Sequence, residues 1–190
     1  MPEMTSSPRE RLILPFLAPF YHHIAQPFGW LTFRVFLGGM LMMAGWPKIM
    51  APFAMSGFAE SLGFAPGWLF SPIIAGVEFL GGLFIIIGFL TRPSALAATF
   101  LLLVTLSVHV SSPYGDAFLT EEGIIFLQEN AQYLTEAGQR RLLPDGGAGF
   151  LASAQGKAET NSMFWALGVA LIAAFGGGRL SVDRLLRREF

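Results

Sequence analysis

Three side chains that can hold or exchange protons stand within or beside otherwise apolar runs of this sequence. Glu78 is the one charged residue between positions 71 and 90, and Lys48 and His109 lie at the ends of two other apolar runs. Carboxylates and imidazoles are common general acids and bases, and an ammonium group can stabilise a developing anion. The same groups can also pair as fixed charges, so their types alone allow either proton transfer or a structural ion pair.

Of these residues, Glu78 has the highest free-energy cost of insertion into a membrane, because it lies inside a long apolar run. About twenty apolar residues at 1.5 Å rise per residue span about 30 Å, the hydrocarbon thickness of a bilayer. An ionised carboxylate at that depth costs about 3 kcal/mol or more unless it is protonated, paired or hydrated. We therefore predict that Glu78 belongs either to a structural ion pair or to a proton or ligand site.

Four apolar stretches must position these residues, and each is predicted to cross a membrane as a helix. The predicted spans are residues 30–46, 70–90, 94–110 and 162–176. Counting helical rise from their ends places Lys48, Glu78 and His109 in the outer third of the bilayer. Asn161 is expected to open the fourth span at the same level. The predicted fold is an all-α integral membrane four-helix bundle.

Glycines accompany the charged residues on the first two predicted spans. Two glycines of the first span share a helical face with Lys48, and two of the second lie beside or on the face of Glu78. Because glycine lets another backbone approach closely, we expect a groove between these helices that a lipid or a quinone-like ring would fit. The expected lining residues of this groove are Arg34, Gly38, Gly45, Gly81 and Gly82.

The composition supports a membrane protein and excludes several other classes. Hydrophobic residues make up 53% of the chain and charged residues 13%, against about 25% charged in soluble domains. The net charge of −1 gives no electrostatic support for nucleic-acid binding. The absence of cysteine excludes disulfides, thiol redox chemistry and thiolate-held metals, and we predict no metal site. Membrane lipid and other membrane-protein subunits are the expected partners.

Basic residues predict the orientation. Eight arginines precede or begin the first span, separate the second from the third, or follow the fourth; they are Arg9, Arg11, Arg34, Arg92, Arg179, Arg184, Arg187 and Arg188. The positive-inside rule then places both termini in the cytoplasm. We divide the chain into an interfacial N-terminal segment (1–29), a membrane domain (30–178) and a basic tail (179–190).

The long connection at 111–160 is expected on the outer side of the membrane. Within it, Ile124, Leu127, Ala131 and Leu134 repeat at helical spacing, which predicts an amphipathic helix over residues 121–138. This helix is expected either to pack as a lid on the bundle or to act as a spacer.

Several segments resemble the DoxX family of bacterial membrane proteins. Residues 34–48 (RVFLGGMLMMAGWPK) resemble its first helix, and residues 78–98 (EFLGGLFIIIGFLTRPSALAA) its second helix and turn. His109 matches a position where that family often has polar residues, and residues 176–183 (GGGRLSVD) resemble its closing segment. The resemblance covers most of residues 30–183 and implies a four-helix protein of the bacterial inner membrane. Some relatives are linked to quinone-coupled oxidation or to membrane redox complexes.

Two functions follow, and the sequence does not decide whether the chain is an enzyme. In the favoured hypothesis it is a non-catalytic structural or accessory subunit of a larger membrane complex, and Glu78 forms an internal ion pair. In the alternative it is a redox subunit that binds quinone as its one expected cofactor. There, Glu78 and His109 would handle protons, and Lys48 would stabilise an anion.

Overall fold

The computed structural model describes residues 14–187, and all regular secondary structure in that range is helical. The main helices in chain order are α1 (Ala18–Met50), α2 (Ser56–Ser61), α3 (Gly67–Ile87), α4 (Thr91–Ser111), α5 (Glu121–Glu129), α6 (Glu136–Leu142), α7 (Ala148–Phe175) and α8 (Val182–Leu185). Short 3₁₀ turns lie at Pro15–Leu17 and Ala131–Tyr133, and Tyr21–Ala25 within α1 form a π turn. Arg9, Arg11 and Arg188 lie outside the described residues.

Four of these helices are long and apolar enough to cross a membrane: α1, α3, α4 and α7, with 33, 21, 21 and 28 residues, among the residues described. The prediction of an all-α integral membrane protein with four spans is confirmed. Many large apolar side chains on these helices are exposed, among them Met43 at 77% and Phe164 at 62%. Such surfaces suit contact with lipid tails, which need no polar covering.

The ends of the first and last spans differ from the prediction. α1 begins at Ala18 rather than at residue 30, because Pro19 lies in its first turn, where a missing N–H breaks no helical hydrogen bond. Pro47 does not end this helix but lies inside it. α7 begins at Ala148 rather than at residue 162, so Asn161 lies within the helix. Hydropathy identifies only the apolar part of a helix. The first half of α7 is polar, so its helical structure was not predicted.

The predicted amphipathic helix at 121–138 is interrupted. α5 ends at Glu129, because Asn130 leaves helical geometry with φ −113° and ψ 28°. α6 then starts after Thr135, whose side chain accepts a hydrogen bond from the N–H of Gly138. Thr120 caps α5 in the same way through Gly123. Two such caps, each satisfying an N–H at a helix start, favour two short helices over one long one.

The described chain forms two compact units. One contains the residues up to Ala95 and those from Leu171 onward, and the other is Leu96–Ala170. In the first unit Leu41, Ile85 and Ile172 are almost fully buried, and in the second Val169 is. Each unit therefore has an apolar core of its own.

Candidate functional site

Helices α1 and α3 meet backbone to backbone at glycines. A Cβ added to Gly38 would lie 2.6 Å from the carbonyl oxygen of Gly82, and one added to Gly45 would lie 2.6 Å from the backbone nitrogen of Phe79. Both distances are too short for any side chain, so only glycine fits these positions. The close approach predicted from the sequence is therefore present. These contacts leave no space for a quinone-like ring between the two helices at Gly38, Gly45 and Gly82.

Gly81 does not belong to this contact. The one heavy atom within 4 Å of its added Cβ is the carbonyl oxygen of Ser94, at 4.0 Å, near the start of α4. The predicted set of four groove glycines is thus split between two helix faces, because Gly81 and Gly82 are adjacent and point about 100° apart around the helix axis.

The structure brings Lys48 and Glu78 together at one end of the glycine contact. Lys48 Nζ lies 2.5 Å from Oε1 and 2.6 Å from Oε2 of Glu78. The side chains are 26% and 10% exposed, respectively. Gly45 stands one turn before Lys48, and its added Cβ would be 2.9 Å from that of Glu78. The absence of a side chain at Gly45 lets the helices approach closely enough for this ion pair to form.

In this ion pair each charge is neutralised by the other. The ammonium group donates to both carboxylate oxygens, which neutralises the charge that would otherwise be expensive in the membrane. Close beside it, the rings of Trp46 and Phe79 pack with centroids 5.6 Å apart. In this arrangement the contact of Glu78 with Lys48 fixes α1 to α3.

His109 lies in the other compact unit. Its Nδ1 is 2.9 Å from the hydroxyl oxygen of Ser162, and its carbonyl oxygen accepts a hydrogen bond from the side-chain amide of Gln155. The same amide lies 2.7 Å from Glu159. Ser162 and Gln155 were missed from the sequence. Gln155 lies in the first part of α7, which was not predicted to be helical, whereas Ser162 was the first residue of the fourth predicted span. Asn161, the residue expected here, is exposed beside Ser162.

Arg34 has a role that the sequence did not predict. It is 1% exposed, and its guanidinium donates to the carbonyl oxygens of Ile86, Gly177 and Leu180. Trp30 assists by donating to the carbonyl of Gly176 at 3.0 Å. Instead of lining a groove, Arg34 binds the turn after α7 to the end of α3. No sequence pattern signals this, because every partner is a backbone carbonyl.

Asp183 completes this end of the first unit and was also missed as a functional position. Its carboxylate accepts hydrogen bonds from the N–H groups of Leu90 and Thr91 at 2.8 and 2.9 Å, and from the hydroxyl of Thr91 at 2.6 Å. The backbone N–H of Asp183 in turn donates to the carbonyl of Gly88. The acid therefore binds the C-terminal segment to the turn between α3 and α4.

Comparison with known proteins agrees with the described geometry. The DoxX family model matches residues 29–110, which include Arg34, the α1–α3 glycine contact, the Lys48–Glu78 pair and His109. Inner membrane protein YqjF of Escherichia coli (strain K12) is 29% identical over 163 residues, which are 85% of this chain and 95% of that protein. No solved structure matches the chain. The resemblance to the DoxX family is thus confirmed over residues 29–110.

Proposed function

We propose that this chain is a non-catalytic structural subunit of a larger complex in the bacterial inner membrane. The observation that carries the proposal is the hydrogen bonding of Lys48 to both carboxylate oxygens of Glu78. A carboxylate held in this way stabilises a helix pair, whereas a proton-transfer site needs a group within reach of its substrate. The name of the similar Escherichia coli protein supports the inner membrane as the location.

Exposed aromatic and apolar residues of the connection between α4 and α7 support a docking role. Ile125 and Phe126 on α5 are 57% and 64% exposed, and Tyr133 is 82% exposed. Exposed aromatic residues are common at the centres of protein interfaces. Under this proposal they contact a partner subunit, while the apolar faces of the spans contact lipid.

The alternative is a quinone-interacting redox subunit, and one observation favours it. The Lys48 side chain is 26% exposed, so part of the ion pair remains accessible at the protein surface. A quinone would then approach Lys48 and Glu78 from outside the α1–α3 contact. Glu78 would exchange its protons, and a partner subunit would supply the electrons.

One double substitution separates the two functions. Replacing Lys48 with methionine and Glu78 with leucine together removes both charges without leaving either one unpaired. The structural proposal predicts that the complex stays assembled on a native gel and that quinone-dependent oxidation per assembled complex is unchanged. The redox alternative predicts that the complex stays assembled but that quinone-dependent oxidation per complex falls about 10²–10⁴-fold, because a proton-transfer group is lost. That result would support the alternative and contradict the structural proposal.

The docking role has its own test. Replacing Ile125, Phe126 and Tyr133 with serine is expected to release the chain from its complex on the same gel. The matched control replaces the exposed polar residues Gln128 and Glu129 with serine and should leave the complex intact. Retention of the triple variant would show that this surface is not the interface.

The proposed orientation places both termini in the cytoplasm and the α4–α7 connection outside. Since the chain has no cysteine, single cysteines can be introduced at Tyr133 and at Leu185, which are 82% and 81% exposed. A membrane-impermeant maleimide added to intact spheroplasts should label the first variant and not the second. After lysis both should react. Labelling of both, or of Leu185→Cys alone, in intact spheroplasts would contradict the orientation.

A further inference from the structure

The described chain has a basic cavity that the proposed function does not use. It has a volume of about 510 Å³ and lies in the first compact unit, where α7 ends. Its walls include the backbone of residues 176–178 and four arginines, namely Arg92, Arg179, Arg184 and Arg187. Asp183 is the one acidic residue among its lining residues.

The described residues 14–187 do not balance the charge of this cavity. Within residues 14–187, the guanidinium groups of Arg92, Arg184 and Arg187 have no hydrogen-bond or ion-pair partner, and Arg179 donates only to the carbonyl of His22. The Asp183 carboxylate is already engaged by Leu90 and Thr91. The C-terminus of α7 adds about half a negative charge. Four positive charges therefore face about one and a half negative charges.

Backbone donors are directed away from the interior at the same place. The carbonyls of residues 176, 177 and 180 point inward, toward Trp30 and Arg34. In a trans peptide the N–H of the following residue points the opposite way. The N–H groups of Gly177, Gly178 and Ser181 thus face away from Trp30 and Arg34, and all three residues line the cavity. Outward N–H groups next to arginines are a favourable setting for an anion.

A recess with a partly apolar lining adjoins the basic cavity. Its volume is about 300 Å³, it shares Arg179 and Arg184 with the basic cavity, and His23, Pro27, Phe28 and Leu180 also line it. Phe28 on α1 is 55% exposed, and Phe175, which lines the basic cavity, is 70% exposed. Apolar side chains beside clustered arginines match a molecule with an anionic head and apolar chains.

We propose that this basic cavity binds a phosphate group, carried either by the headgroup of an anionic phospholipid or by a soluble phosphate ester. Guanidinium groups bind phosphate oxygens in pairs of parallel hydrogen bonds, which suits several arginines converging on one anion. The cavity is independent of the proposed structural role, since it shares no residue with the Lys48–Glu78 pair or with the exposed α5 surface.

The test is a binding titration on the delipidated full chain in neutral detergent. The probes are phosphatidylglycerol, phosphatidylcholine, inorganic phosphate and glycerol 3-phosphate. We expect saturable binding of phosphatidylglycerol that is at least 10-fold tighter than that of phosphatidylcholine. If glycerol 3-phosphate binds as tightly as phosphatidylglycerol, the site is assigned to soluble phosphate esters. If glycerol 3-phosphate binds much more weakly than phosphatidylglycerol, the site is assigned to the lipid.

Two double variants test the location of the site. Arg92→Gln with Arg184→Gln is expected to weaken binding at least 10-fold. Arg140→Gln with Lys157→Gln removes the same charge at exposed positions outside the cavity and should leave binding unchanged. No saturable binding to the wild-type chain, or equal affinity of the two variants, would overturn the proposal.

If the variant with Arg92→Gln and Arg184→Gln does not fold, the salt dependence of binding to the wild-type chain still tests the proposal. Its affinity for phosphatidylglycerol should fall steadily between low and high NaCl, because salt screens exposed charges. The single variant Arg187→Gln, at an exposed turn, should also bind more weakly. An affinity that depends neither on salt nor on Arg187 would contradict an arginine-lined phosphate site.

Discussion

Replacing Glu78 alone with leucine is expected to lower the free energy of unfolding by about 3–5 kcal/mol. The substitution leaves the Lys48 ammonium without the two carboxylate oxygens that it contacts at 2.5 and 2.6 Å. Removing one partner of a buried pair is costly because the other charge is left uncompensated. Replacing Lys48 alone with methionine should also destabilise the protein. Reversible unfolding by denaturing detergent in mixed micelles measures both losses.

The double variant completes this comparison. With Lys48→Met and Glu78→Leu together, no charge is left unpaired, and stability should return to within about 1 kcal/mol of the wild type. Glu129→Leu serves as the control, because it removes an exposed carboxylate and should change stability by less than about 0.5 kcal/mol. If the losses from the two single substitutions simply add in the double variant, the two residues do not stabilise the fold as a pair.

Replacing Gly38 with alanine should destabilise the protein strongly, whereas the same change at Gly39 should not. The new methyl group at Gly38 would lie 2.6 Å from the carbonyl oxygen of Gly82 and 2.8 Å from a side-chain carbon of Ile86, so α1 and α3 must separate. Overpacking of this kind costs about 1–3 kcal/mol, and separation of the helices also stretches the Lys48–Glu78 contact.

Gly39 is a matched control on the same helix. Nothing lies within 4 Å of its added Cβ, so alanine meets no obstacle there and should keep or raise stability by up to about 1 kcal/mol. Unfolding in mixed micelles and the fraction of folded chain after solubilisation both report the difference. Equal stability of the two variants would mean that the helices do not meet at Gly38.

The parts of the fold that depend on hydropathy and helical spacing could be predicted from the sequence. The four spans follow from the long apolar runs, and the meeting of Lys48 with Glu78 follows from their similar predicted depth and from the glycines on the same helix faces. The start of α7 could not be found in this way, because residues 148–161 are polar enough to resemble a loop. For the same reason Gln155 was not recognised as a neighbour of His109.

The end of the first unit that contains Arg34 and Asp183 was the least predictable part of the candidate site. Arg34 was expected to be one of the arginines on the cytoplasmic side and to line a groove, whereas it binds three carbonyl oxygens. A charge that pairs with backbone leaves no complementary residue in the sequence. Asp183 could not be recognised from the sequence for the same reason. It accepts three hydrogen bonds, and two of them come from backbone N–H groups.

The contacts of Arg34 have a consequence for how the chain is made. Two of its three acceptors, Gly177 and Leu180, are synthesised 143 and 146 residues after it. At about 5–20 residues per second, ribosomes need about 7 to 30 s to cover that distance. For most of this interval Ile86 is the one final acceptor of Arg34 that has been synthesised. A chain that ends before residue 177 therefore lacks two of the three acceptors of this buried guanidinium.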